Sequence, residues 1–181
     1  MIHSGMQIIV LCEDRQQEVF ARHFLVKRGF NPRKITYLPL PKGKQSGEQY
    51  VRENYAKEVR AYRSKNYLSI ALVVLIDADK YTIAERLNQL DLELEADSQA
   101  KRLLDEKIAV FIPRRNIETW IHYLQGEIVD EETAYSKLPQ ESDCKPCVEN
   151  LVNYCQRGLD ENAPESLHLA CSEWQRIMPT N

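Results

Sequence analysis

Apolar positions along the chain fall into two alternating patterns. Continuous runs rich in β-branched residues mark buried strands, and runs with apolar residues every three or four positions mark helices. Four stretches are of the first kind: Met6 to Cys12, Lys34 to Leu38, Ser69 to Ile76 and Lys107 to Ile112. The third, SIALVVLI, is the most apolar and is expected at the centre of a sheet. Between them lie three helical stretches. Arg15 to Arg28 carries Val19, Phe20, Phe24 and Leu25 on one face and stops at Gly29. Glu48 to Lys65 repeats Val51, Tyr55, Val59 and Tyr62, and Tyr81 to Leu94 is amphipathic. Asn116 is expected to cap a helix through Leu124, and further helices are expected at Lys145–Gln156 and Glu165–Met178. Strand–helix alternation of this kind predicts an α/β fold. Its mostly parallel sheet of about four strands has right-handed crossovers and helices on both faces. The α/β domain would span residues 1–126, and residues 127–181 would form an acidic helical appendage packed on it.

Composition narrows the class. With 181 residues, 43% apolar and 28% charged, the chain suits one domain with a small appendage rather than a disordered polymer. No apolar run approaches the ~20 residues that span a bilayer. The opening Met1-Ile2-His3-Ser4-Gly5 lacks the basic and apolar regions of an export signal. Five cysteines, an odd number, are expected as reduced thiols in a cytoplasm. No P-loop, GxGxxG or HExxH motif occurs. The net charge of −3 conceals an asymmetry. Residues 1–126 carry 20 Lys and Arg against 16 Asp and Glu, a balance of +4, while residues 127–181 carry 4 against 11, or −7.

The candidate chemistry lies where strands end, since open parallel sheets gather functional groups at their carboxyl edge. The first strand runs into Glu13-Asp14, the third into Asp77-Ala78-Asp79, and the fourth into Pro113-Arg-Arg-Asn-Ile-Glu118. Crowded carboxylates repel one another and either rise in pKa or take a cation between them. Mg²⁺ suits such a place, because it accepts one or two carboxylates and fills its other positions with water and phosphate oxygens. Lys80, Arg114 and Arg115 sit beside the acidic ends, and Lys42 and Lys44 occupy the breaker-rich loop from Pro39 to Gly47, all placed to hold phosphates. Ser46-Gly47 opens a helix and offers backbone N–H groups to the same end. The plainer reading of Glu13-Asp14 is an N-cap for the following helix. The helix charges Arg52, Lys57, Arg60, Arg63 and Lys65 read as ordinary solvated surface.

The stretches Ile8-Ile-Val-Leu-Cys-Glu13 and Val73-Val-Leu-Ile-Asp-Ala-Asp79 resemble the Toprim domain of topoisomerases, primases and overcoming-lysogenization-defect nucleases. The likeness covers residues 6–124. It implies that Glu13, Asp77 and Asp79 are catalytic and ligate Mg²⁺ or Mn²⁺, with Glu13 available for proton transfer. Arg114 to Trp120 looks like a later strand–helix element of the same domain, which would add Glu118 as a metal-facing carboxylate. The implied activity is metal-dependent phosphodiester cleavage of DNA or RNA, in a prokaryotic antiviral-defence setting with a separate ATPase partner. The family's Glu-Gly is Glu13-Asp14 here.

Two other functions fit part of the pattern. A response-regulator receiver would use Glu13-Asp14 as its acidic pair and Asp77 as phosphoacceptor, but leaves Asp79 without a role. A non-catalytic binding module would use the carboxylates as caps alone. In the tail, Cys144-Lys-Pro-Cys147 has zinc-ligand spacing, with Cys155, His168 and Cys171 able to complete a set. Structural cysteines are the stronger reading, and Trp120 and Trp174 read as core anchors.

Overall fold

The computed structural model describes residues 5–178, so the opening segment through Ser4 read above for an export signal lies outside them. Four strands, β1 (Gln7–Leu11), β2 (Ile35–Tyr37), β3 (Ile70–Leu75) and β4 (Ile108–Phe111), form one sheet in the order β2-β1-β3-β4. Every neighbouring pair is parallel, with Ile8 opposite Ile35, Val10 opposite Val73 and Val74 opposite Val110. All six residues of β3 are buried, as expected of a central strand covered on both faces.

Six α-helices accompany the sheet among the described residues: α1 (Arg15–Lys27), α2 (Gly47–Ser64), α3 (Ile83–Ala96), α4 (Ile117–Leu124), α5 (Lys145–Arg157) and α6 (Glu165–Trp174). The period of two along each strand divides the core between two faces. Ile8, Val10, Ala71, Val73, Leu75 and Ala109 point to a layer built by α1, α4, α5 and α6. Leu11, Leu72, Val74, Ile76, Ile108 and Val110 point to α2 and α3. The α/β class and helices on both faces therefore stand as read from the pattern.

The chain departs from the expected pattern in several places. α3 begins at Ile83 rather than Tyr81, because Thr82 and Glu85 form a capping box that sets its first turn. Asn116 occupies the N-cap position of α4 but its side chain makes no capping bond, and its Oδ1 is buried without a partner. The tail is integral to the core: Cys144, Cys147, Leu151, Leu167 and Trp174 share one apolar cluster with β1, β3 and α1. The expectation of five reduced thiols is overturned, since Cys155 of α5 and Cys171 of α6 are disulfide-bonded across a Cα separation of 5.2 Å. That bond also takes two sulfurs from the zinc-ligand set read in the tail. Cys12, Cys144 and Cys147 are free and buried, and burial pushes the last two thiols up to about 11 and about 12. Trp120 and Trp174 are core residues, Trp120 donating from Nε1 to Ser166 Oγ at 2.8 Å. Arg60 and Arg63 are not simply solvated; they tie α2 to Asp97 at the end of α3 and to Glu106 just before β4. No described helix is long and apolar enough to cross a membrane.

Candidate site at the carboxyl edge of the sheet

Strand order places the switch point between β1 and β3. From β1 the chain crosses through α1 to β2 on one side, and from β3 through α3 to β4 on the other. The two connections diverge and leave a crevice at the carboxyl ends of the central pair. Glu13 and Asp77 occupy it.

The first turn of α1 explains how. Asp14 is the N-cap, its Oδ1 accepting from Gln17 N at 2.9 Å, so capping is the right reading for Asp14. Glu13 is left free of that duty. Its backbone N–H donates to Gln17 Oε1 at 2.9 Å, and its carboxylate Oε2 accepts from the backbone N–H of Asp77. Gln17 then donates from Nε2 to Glu13 Oε2 at 3.3 Å and to Asp77 Oδ1 at 3.0 Å. One buried glutamine thus joins carboxylates 64 residues apart in the chain. Glu13 Oε1 and Asp77 Oδ2 take no hydrogen bond from the described protein.

Electrostatics match the crowding. Burial, with the carboxylates of Asp79 and Asp14 adding to it, raises Glu13 from 4.5 to about 7. Asp77 rises too, through burial and the charges of Glu13, Asp14 and Glu118. Glu118 is 5% exposed, and burial pushes its carboxyl up as well.

Asp79 goes elsewhere. Past β3 the chain continues beside the extension of β4: Ile76 N–H donates to Phe111, Ala78 N–H to Pro113 and Asp79 N–H to Arg115 at 2.9 Å. Asp79 and Arg115 form an isolated antiparallel bridge, and both lie in the left-handed region, at φ 52° and 69°. Two non-glycine residues in that region at one contact concentrate backbone strain beside the crevice. The Asp79 side chain meets Arg86 Nη2 at 3.2 Å. Arg86 also reaches Glu48 of α2 at 2.9 Å, whose carboxyl the Arg52 hydrogen bond holds below its usual range.

Among the described residues no group of three or more His, Cys, Asp or Glu side chains is disposed to hold one ion. The donor set therefore offers a hard divalent cation no more than a pair: Glu13 and Asp77 each keep one oxygen available with no cation of the protein beside it, whereas Asp79, half exposed, gives Oδ2 to the Arg86 guanidinium and keeps Oδ1 open. Lys80 and Arg115 line an open cleft together with Glu48, Asp79, Arg86 and Asn116; Glu13 and Asp77 are not in its lining. Lys42 and Lys44 stand exposed in the β2–α2 loop at the same edge, and Arg114 is half-buried after β4. None of these five basic side chains forms an ion pair with the described residues; Lys80 lies 5.7 Å over the Tyr81 ring.

Gln17, Arg86 and Glu48 were not anticipated. The first two carried a signal, since Arg86 shares a helical stripe with Leu90 and Leu94, and Gln17 shares one with Phe20 and Phe24. A long polar residue on a core-facing stripe needs buried partners. Glu48 carried none. Ser46 caps α2 and Gly47 opens it, and a Cβ at Gly47 would stand 2.6 Å from Glu13 Cβ, so its absence lets α2 close on the site. No family model, curated protein or solved structure matches the chain.

Proposed function

We propose that the chain carries out divalent-metal-dependent phosphodiester cleavage on nucleic acid, as a divergent Toprim-like protein. The observation that carries this reading is the Glu13–Gln17–Asp77 unit at the switch point of a parallel sheet, with two raised carboxyls and free cations along the same edge. Mg²⁺ or Mn²⁺, held by Glu13 and Asp77, would polarise the scissile phosphate and activate water. Gln17 fixes the orientation of both carboxylates. Glu13 is also assigned the proton-transfer role, through the carboxylate oxygen that takes no hydrogen bond from the described residues. Lys80 and Arg115 take non-bridging phosphate oxygens in the cleft, and Lys42, Lys44 and Arg114 follow the backbone further along the same edge. A cytoplasmic antiviral setting and a separate ATPase partner belong to the same proposal; the Cys155–Cys171 disulfide is the observation against its cytoplasmic part.

A receiver-like role for Asp77 is less well supported, because the residue is 8% exposed and its Oδ1 is engaged by Gln17. The deciding assay incubates single- and double-stranded DNA and RNA with Mg²⁺ or Mn²⁺. Cleavage by the wild type is expected to fall at least about a hundredfold in Asp77→Asn. Metal-independent cleavage, or equal cleavage by the variant, rejects the mechanism. Labelling of Asp77 by acetyl phosphate would favour the receiver.

A further inference from the structure

Arg86 is 1% exposed, the most deeply buried charge among the described residues. Every N–H of its guanidinium is used. Nε donates to Asp77 O at 2.9 Å, and Nη2 to Ala78 O at 3.3 Å and Asp79 Oδ2 at 3.2 Å. Nη1 donates to Glu48 Oε2 at 2.9 Å and Gln89 Oε1 at 2.7 Å. Its carbon sits 5.0 Å from the Tyr81 ring centroid. One side chain on α3 therefore grips the backbone of the acidic turn at two carbonyls and the side chain of its second aspartate. A guanidinium is a permanent cation with a rigid fork of donors, so the bonds to the two backbone carbonyls do not depend on pH, and the bond to Asp79 is strongest while that carboxylate is ionised. The left-handed backbone at Asp79, pinned by its bridge to Arg115, fixes the same orientation from the other side.

From this geometry we infer that Arg86 is a positioning residue that removes Asp79 from the ligand set. It serves Asp79 as a built-in counter-ion, so the site presents two protein carboxylates to a divalent ion and leaves the other positions to water and substrate phosphate oxygens. This inference rests on the metal-dependent reading above. It gives Asp77 and Asp79, one residue apart, opposite roles: ligand and anchor.

Mn²⁺ titration followed by the electron paramagnetic resonance of the free ion tests it without any assay of activity. Asp77→Asn should weaken binding at least tenfold, and Asp79→Asn should change it less than twofold. Arg86→Gln should free Asp79 and tighten binding at least fivefold, a gain that Arg86→Gln/Asp79→Asn loses; a purely structural role would only weaken it. If Arg86→Gln does not fold, the Asp79→Asn arm decides, because that variant keeps all bonds from Arg86 to the backbone. A tenfold loss in Asp79→Asn, equal to that in Asp77→Asn, overturns the inference. A metal-free arm stands apart from the functional reading: in urea unfolding, Asp79→Asn and Arg86→Lys should couple by at least fivefold in the unfolding constant. Absence of coupling also overturns it. Coupling without any effect of Asp77→Asn on Mn²⁺ rejects the metal site and leaves the Arg86–Asp79 clasp in place.

Discussion

At the scale of single residues, the site is a set of charges kept where charge is expensive. Folding raises the Glu13 carboxyl from 4.5 to about 7, so the folded chain holds more protons than the unfolded one between those values. Stability then falls as pH rises through that window, and the penalty is complete above about 7. Replacing Glu13 by Gln removes the ionisation and keeps a carbonyl oxygen for the Asp77 N–H. The expected outcome is a gain of order 1–3 kcal/mol at pH 8, read as a Tm several degrees higher, with almost no change at pH 4.5. Equal melting curves at pH 8 would mean that the Glu13 carboxylate is well solvated. Gly47 belongs to the same scale. An alanine at the first position of a helix is ordinarily harmless, but here the missing Cβ is what lets α2 approach Glu13.

At the scale of elements, β4 poses the clearest problem, because it ends the sheet and leaves backbone groups without a neighbouring strand. Arg102 and Glu173 of α6 supply the missing partners. Arg102 Nη1 donates to Ile108 O at 2.7 Å, and Val110 N–H donates to Glu173 Oε2 at 3.0 Å. The two side chains pair with each other, Nη2 to Oε1 at 3.0 Å, so a single ion pair stands where the next strand would be. Glu173→Ala should cost about 2–3 kcal/mol in urea unfolding, because it orphans the Val110 N–H and strips a largely buried guanidinium of its counter-ion. Adding Arg102→Ala should cost less than the sum of the single changes. Strict additivity would show that the edge is satisfied by other means.

At the scale of the whole molecule, the acidic tail is one of the layers that closes the core. Residues of α5 and α6 complete the face of the sheet that α1 and α4 cover only in part, with Trp174 packed edge-on against Phe24 and Phe30. A chain ending at Gly126 would expose Phe20, Phe24 and Val73, and is expected to lose cooperative unfolding and to bind hydrophobic dyes. A sharp two-state transition in that shortened chain would show instead that the tail is dispensable. The charge of −7 also has local uses. Glu131 accepts from the N–H groups of Glu165 and Ser166 at the start of α6, Glu127 pairs with His122, and Glu173 closes the β4 edge.

Strand positions, helix spans, the α/β class and the acidic strand ends were legible in the sequence, because each follows from periods of two and 3.6 residues or from a residue's place at the end of a run. The division of labour among the carboxylates was not. Asp14 became a cap, Glu13 and Asp77 became partners through Gln17, and Asp79 turned to Arg86. Each outcome depended on which elements lie side by side across the switch point. The same holds for the Cys155–Cys171 bond and for the tail's place in the core. A residue's type and local period are properties of its segment. Its counter-ion, its hydrogen-bond partner and the water it loses are set by neighbours distant in the chain, and those only the tertiary structure supplies.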